Sequence, residues 1–189
     1  GSETESIISE HAFVVYGIVT RAQGARVVQV PAENYGQNLD AVLEAVTECT
    51  RMIFIANPNN PTGTWLSKSE LVCFLEQIRE DIVVVLDEAY CEYVMEPEYP
   101  NGLDLIKNYD NLVVTRTFSK AYGLAGLRIG YSVSNPDIAE LMNRVRQPFN
   151  VNSMSLSAAL VALDDQQYVR ESVRLNTEGM KFLMQVWDR

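Results

Sequence analysis

Histidine is almost missing from this sequence: His11 is the only one in 189 residues. A metal centre built on several histidines is therefore excluded, and a serine-type triad would have to use His11 alone. Cysteine is scarce as well. Cys49, Cys73 and Cys91 are odd in number, widely spaced and free of any C-x-x-C pair. They argue against a disulfide framework or a thiolate cluster and fit a reducing compartment. No bound metal is expected. Positive charge is in deficit, with 15 Lys plus Arg against 25 Asp plus Glu and a formal net charge of −10. A nucleic-acid partner calls for the opposite sign, so none is expected, whereas a small anionic ligand can still find a locally positive pocket. No apolar run reaches the roughly 18–20 residues of a membrane span. The first residues show no basic stretch leading into an apolar one, so no secretory signal is expected. A cytoplasmic protein with no membrane partner is the expectation.

What is present is enough for a real core: hydrophobic residues make up 47% and charged residues 21%, in a length that suits one large or two small domains. Short β-branched runs at 6–9, 25–30, 51–56, 82–86, 112–115 and 128–133 read as strands. Several are apolar at consecutive positions, as in a sheet covered on both faces. Helices with readable starts lie between them. Ser67 and Glu70 form a capping box ahead of Leu71, Phe74, Leu75 and Ile78. Asn135-Pro136 precedes Ile138, Leu141, Met142 and Val145, and Asn38 precedes Leu39, Val42, Leu43 and Val46. Such alternation predicts an α/β layered fold with a mainly parallel sheet. After Arg146 the pattern changes to two helices near 153–163 and 166–187, following a break at 147–150.

Four segments lie just after strands, where ligands gather in α/β sheets. The first, Ala56-Asn57-Pro58-Asn59-Asn60-Pro61-Thr62-Gly63, reads as a rigid loop presenting an asparagine amide. In the second, Asp87 ends an apolar strand and needs a cationic or hydrogen-bonding partner, with Tyr90 three residues on. In the third, Lys120 follows Thr117 and Ser119 in a setting where a lysine can react. The fourth, 123–128, is rich in small residues and ends on Arg128 at a strand start, where a guanidinium can clamp phosphate. A strand-end carboxylate or a lone surface lysine is ordinarily structural; the conjunction in this order is what carries the argument.

That conjunction resembles the fold-type I aminotransferases that use pyridoxal 5′-phosphate, and within them the histidinol-phosphate aminotransferase family, above all over 116–131 and 146–152. The resemblance implies a three-layer α/β/α cofactor-binding large domain over 1–147 and the helical start of a small domain over 148–189. It implies that Lys120 bonds to the cofactor aldehyde and moves the proton between substrate Cα and cofactor C4′. Asp87 would pair with the protonated pyridine nitrogen, and Asn60 and Tyr90 would hydrogen-bond the phenolic oxygen. Thr117, Ser119 and Arg128 would hold the phosphate, and Phe13 would stack on the ring. His11, where the family pattern departs, is expected to be non-catalytic. The implied substrates are small amino or keto acids or amino-phosphates, with histidinol phosphate and 2-oxoglutarate, in histidine biosynthesis, as the leading pair.

Aromatic amino-acid aminotransferases and phosphothreonine-type decarboxylases would keep the same motifs, and a non-catalytic folded remnant is the alternative from another class. The resemblance also implies a central fragment. A preceding first strand with its glycine-rich helix start, an N-terminal aromatic hydroxyl reaching a neighbouring subunit, and a carboxylate-binding arginine beyond residue 189 find no match. An aminotransferase is the expectation at family level, with this chain's own turnover left open by the missing segments; exposed apolar surface and assembly into a homodimer or larger species are also expected.

Overall fold

The structure, a computed structural model, describes residues 1–187. Six strands form one sheet: β1 (Glu5–Ser9), β2 (Arg26–Val30), β3 (Thr50–Ala56), β4 (Val83–Asp87), β5 (Leu112–Thr117) and β6 (Gly130–Ser134), in the spatial order β2-β1-β3-β4-β5-β6. The first five are parallel and β6 is antiparallel to β5. The expected mainly parallel α/β fold is what is found. Strand ends differ by a residue or two from the sequence reading. β5 runs on to Thr117 because β6 pairs with it as far as Thr117 and Gly130.

The helices are α1 (Val14–Ala22), α2 (Leu39–Glu44), α3 (Lys68–Leu75), α4 (Gly102–Leu105), α5 (Pro136–Val145), α6 (Ser153–Asp164) and α7 (Gln166–Trp187). The capping box of α3 is complete, and Asn38, Asn135 and Asn152 each accept a backbone N–H at the start of α2, α5 and α6. Helix α1 escaped the sequence reading. It has no side-chain cap, and Val14, Val15, Ile18 and Val19 carry β-branched side chains that favour strand. It forms because a right-handed crossover must carry the chain from β1 to its parallel neighbour β2.

One face of the sheet is fully covered. Ile7, Ile53, Ile55, Val84, Leu86, Leu112 and Val114 interlock with Val42, Leu71, Phe74, Leu75 and Leu105 from α2, α3 and α4. The alternate residues point to the opposite face, where a smaller cluster joins Tyr16 of α1 to Ile8 and Ala56, with Phe54 and Val27 packed against it. Both faces carry packed residues, as the consecutive apolar positions led one to expect, but burial is lopsided toward the α2–α4 side. A third cluster, Phe118, Ile129 and Ala159, fastens α6 to the end of the sheet, helped by the Ser155 hydroxyl donating to the Leu127 carbonyl at 2.8 Å. The apolar stripe expected on α5 is only half sheltered, with Leu141 and Val145 exposed, and of α7 only Val169 is buried. No helix among the described residues is long and apolar enough to cross a membrane.

Candidate active site

Parallel strands deliver their following loops to one edge of the sheet, and the candidate residues collect there. Phe13 follows β1, Asn60 follows β3, Asp87 ends β4 with Tyr90 beyond it, and Lys120 follows β5. The chain reverses its direction of travel across the sheet between β1 and β3, the kind of switch point at which α/β sheets open a crevice. A cavity of about 70 Å³ there is lined by Phe13, Asn60, Asp87, Tyr90 and Lys120 together with Tyr16. Asn60, Tyr90 and Lys120 also face a cleft of about 660 Å³, whose far wall includes Asn176 and Met180 of α7.

The loop after β3 is rigid for a reason the sequence only hinted at. Asn57 is fully buried and its side chain acts as a piece of backbone: Oδ1 accepts the Leu66 N–H at 2.8 Å and Nδ2 donates to the Leu66 carbonyl at 3.2 Å. Buried Asn59 donates to the His11 carbonyl at 3.1 Å and to Thr62 Oγ1 at 2.8 Å. The Tyr99 hydroxyl donates to the Asn57 carbonyl. Two internal amides therefore fix the loop and leave the third, Asn60, at the cavity, where Nδ2 lies 3.4 Å from the Tyr90 hydroxyl.

Asp87 is held from two sides. Tyr16 donates its hydroxyl to Oδ2 at 2.5 Å, and the Ala89 N–H donates to Oδ1 at 3.1 Å. Burial first, then the Asp87 charge, pushes the Tyr16 phenol far above its ordinary range, so it stays a donor. Lys120 Nζ stands 5.2 Å from the centre of the Tyr90 ring, within cation–π reach. Phe13 meets Tyr16 edge to face at 5.7 Å. Sequence reasoning missed Tyr16, yet its place three residues after Phe13, in the first turn of the helix that Phe13 caps, was the available signal.

Thr117, Ser119 and Arg128 form an adjoining group and are not part of that cavity's wall. Thr117 Oγ1 accepts the Ser119 N–H at 3.1 Å, and Arg128 Nη1 reaches Ser119 Oγ at 3.4 Å and the Ala125 carbonyl at 2.9 Å. One expectation is corrected. Arg128 does not begin a strand: it sits at φ 51°, ψ 50°, closing a short 3₁₀ turn, Ala125–Leu127, and β6 starts only at Gly130. The left-handed backbone turns the guanidinium back toward Ser119 instead of along the sheet. Gly123, at φ +71°, has a similar constraint, since a Cβ there would strike the Tyr168 ring of α7.

Beneath the cavity lies a pair the sequence reading left without a role. Glu88 is fully buried, accepts from Arg116 Nε and Nη2, and accepts the Gly102 N–H at 2.7 Å. Burial pushes the Glu88 carboxyl above the usual range, and Arg116 pulls against it. His11 stacks on Tyr35, 5.7 Å between ring centres, and does not line the small cavity.

The residues present suit a ligand of mixed charge. Among the described residues Asp87 has no cationic partner and Arg128 no carboxylate. A half-buried anion, an arginine beside two hydroxyl residues, an amine between them in the chain and aromatic walls fit a flat molecule that is cationic at one end and anionic at the other.

Fold and site together define an α/β protein with a small-ligand crevice at its strand ends. The sequence profile of the family described as aminotransferase class I and II matches residues 2–186, and the chain belongs to that family. It is 60% identical over 179 residues to histidinol-phosphate aminotransferase 1 of Idiomarina loihiensis, covering 95% of this chain and 49% of that protein. It is 56% identical to histidinol-phosphate aminotransferase 2 of Pseudomonas fluorescens, covering 94% and 48%. The chain spans about half the length of the curated relatives it matches. Among solved structures it is similar to histidinol-phosphate aminotransferase from Sinorhizobium meliloti in complex with pyridoxal-5′-phosphate, with a TM-score of 0.84 and 35% identity over 90% of this chain and 46% of that one. L-threonine-O-3-phosphate decarboxylase from Porphyromonas gingivalis matches with a TM-score of 0.74 and 30% identity, over 88% and 49%.

Proposed function

We propose that the chain carries the pyridoxal-phosphate site of a histidinol-phosphate aminotransferase, working on histidinol phosphate and 2-oxoglutarate in histidine biosynthesis. The observation that carries this reading is the pair of unmatched charges, Asp87 and Arg128, on either side of Lys120 in the chain. The greater identity to histidinol-phosphate aminotransferases than to the decarboxylase supports the substrate. When bound, the cofactor supplies an electron sink for charge developing at the substrate Cα.

Each residue then has a task. Asp87, oriented by its two donors, faces the pyridine nitrogen and keeps its proton in place. Asn60 and Tyr90 hydrogen-bond the phenolic oxygen. Thr117, Ser119 and Arg128 take the phosphate through hydroxyls and a fixed positive charge. Phe13 covers one ring face. Lys120 would hold the cofactor through its aldehyde carbon and, once the substrate amine has displaced it there, its freed amine would accept and return the proton at the substrate Cα. Residues 1–147 form the cofactor-binding unit and 148–189 begin a second. A homodimer in the cytoplasm is the setting this reading implies.

Borohydride reduction with pyridoxal phosphate, followed by peptide mass spectrometry, tests it. The adduct is expected on Lys120 and not on Lys68 or Lys107, and Lys120→Ala is expected to lose the visible band while remaining folded. An adduct elsewhere, or a band that survives Lys120→Ala, would overturn the assignment.

A further inference from the structure

Tyr16 lines the small cavity, yet the scheme above gives it no contact with the cofactor. Its ring is buried and stacks face to face on Phe54, 4.8 Å between centres and 7° from parallel, and its hydroxyl reaches across 71 positions of sequence to Asp87. That hydroxyl has no other partner among the described residues, and Asp87 Oδ2 has no other donor. A phenol buried for packing alone needs any acceptor; this one is aimed at the carboxylate assigned to the ring nitrogen.

We infer that Tyr16 is a positioning residue for Asp87, fixing the carboxylate's orientation and withdrawing part of its negative charge from the bound cofactor's ring nitrogen. The inference rests on the pyridoxal reading. An O–H donor to a carboxylate spreads its charge and lowers its pull on a second proton. Two donors on different elements, the Tyr16 hydroxyl from α1 and the Ala89 N–H beyond β4, leave the carboxylate little freedom to rotate. The titratable groups facing Asp87 are Tyr16 from α1, Tyr90 and Glu88 from its own strand end, and Lys120 from the loop after β5; the loop after β3 brings only neutral Asn60.

Tyr16→Phe removes the hydroxyl and keeps the ring on Phe54, whereas Phe54→Leu removes the stack and keeps the hydroxyl. Pyridoxal phosphate affinity, the pH midpoint of the visible band and thermal stability are measured for the chain and both variants. Tyr16→Phe is expected to weaken cofactor binding several-fold and to move the midpoint upward by about half a unit, because more negative charge then favours the protonated cofactor. Phe54→Leu is expected to lower thermal stability and leave the midpoint in place. A normal wild-type band with a midpoint and affinity untouched by Tyr16→Phe overturns this inference alone, as does an equal midpoint shift in Phe54→Leu. Failure of the wild-type chain to bind the cofactor overturns the pyridoxal reading and this inference with it.

Discussion

Arg116 donates twice to a single oxygen of Glu88, from Nε at 2.8 Å and from Nη2 at 2.6 Å, while the other Glu88 oxygen accepts the Gly102 N–H. This joins the end of β4 to the end of β5 directly below the candidate site. Asp87 neighbours one partner and Thr117 the other, so the spacing between the proposed ring-nitrogen and phosphate contacts depends on the pair. The site is crowded enough that a Cβ on Gly102 would come within 2.7 Å of Glu88 Oε1 and 2.8 Å of Leu86 Cδ2.

Arg116→Met is therefore expected to destabilise the fold by about 3–5 kcal/mol, since it strands a buried carboxylate. Adding Glu88→Gln to Arg116→Met removes the stranded charge and should recover part of the loss. Urea unfolding of the single and double variants measures both. A single variant as stable as wild type would mean that the pair contributes nothing net.

Glu5 gives a pH-dependent counterpart at the other end of the sheet. It is buried and accepts from the Thr47 hydroxyl, from Thr50 Oγ1 at 3.0 Å and from Arg26 Nε at 3.1 Å. The Thr47 bond, with Arg26 and Thr50 behind it, holds the carboxyl below its ordinary range despite burial. A depressed folded-state value adds stability above the unfolded-state value, and that stability is lost as pH falls through the folded one. Glu5→Gln should cost roughly 1–3 kcal/mol at neutral pH. The gap from wild type should close below the usual carboxylate range; thermal melts across acid pH would show it persisting if the reading is wrong.

Thiol labelling should rank the cysteines. Burial pushes the Cys91 thiol up to about 12, with Glu92 adding to it, so at pH 8 its thiolate fraction is on the order of 10⁻⁴. Cys73 is exposed. Iodoacetamide is expected to modify Cys73 first and Cys91 last, and mass spectrometry of a time course reads the order directly. Early labelling of Cys91 would show that its pocket opens.

The apolar surface of α1 and α7 should make the chain associate. Val14, Ile18 and Val19 on α1 and Leu175, Phe182, Leu183 and Trp187 on α7 are exposed, and large bare patches rarely persist on lone chains in water. Light scattering at micromolar concentration is expected to give a mass above one chain, reduced by Ile18→Glu. A monodisperse monomer would contradict this.

The sequence by itself determined the sheet, the order of its loops and most of the candidate site. Strand and helix periodicity, the Ser67–Glu70 box and the asparagine caps are local signals, written in neighbouring residues. The motifs around Asn60, Asp87, Lys120 and Arg128 were legible because each is contiguous with the strand that positions it. Tertiary structure alone decided what depends on residues far apart in the chain. Tyr16 meets Asp87 across 71 positions and Arg116 meets Glu88 across 28, and no local pattern encodes such contacts. The crossover from β1 to β2 overrode β-branched preference in α1, and the left-handed turn at Arg128 delayed β6. Packing can impose both because the propensities they overcome are worth less than the burial and pairing gained.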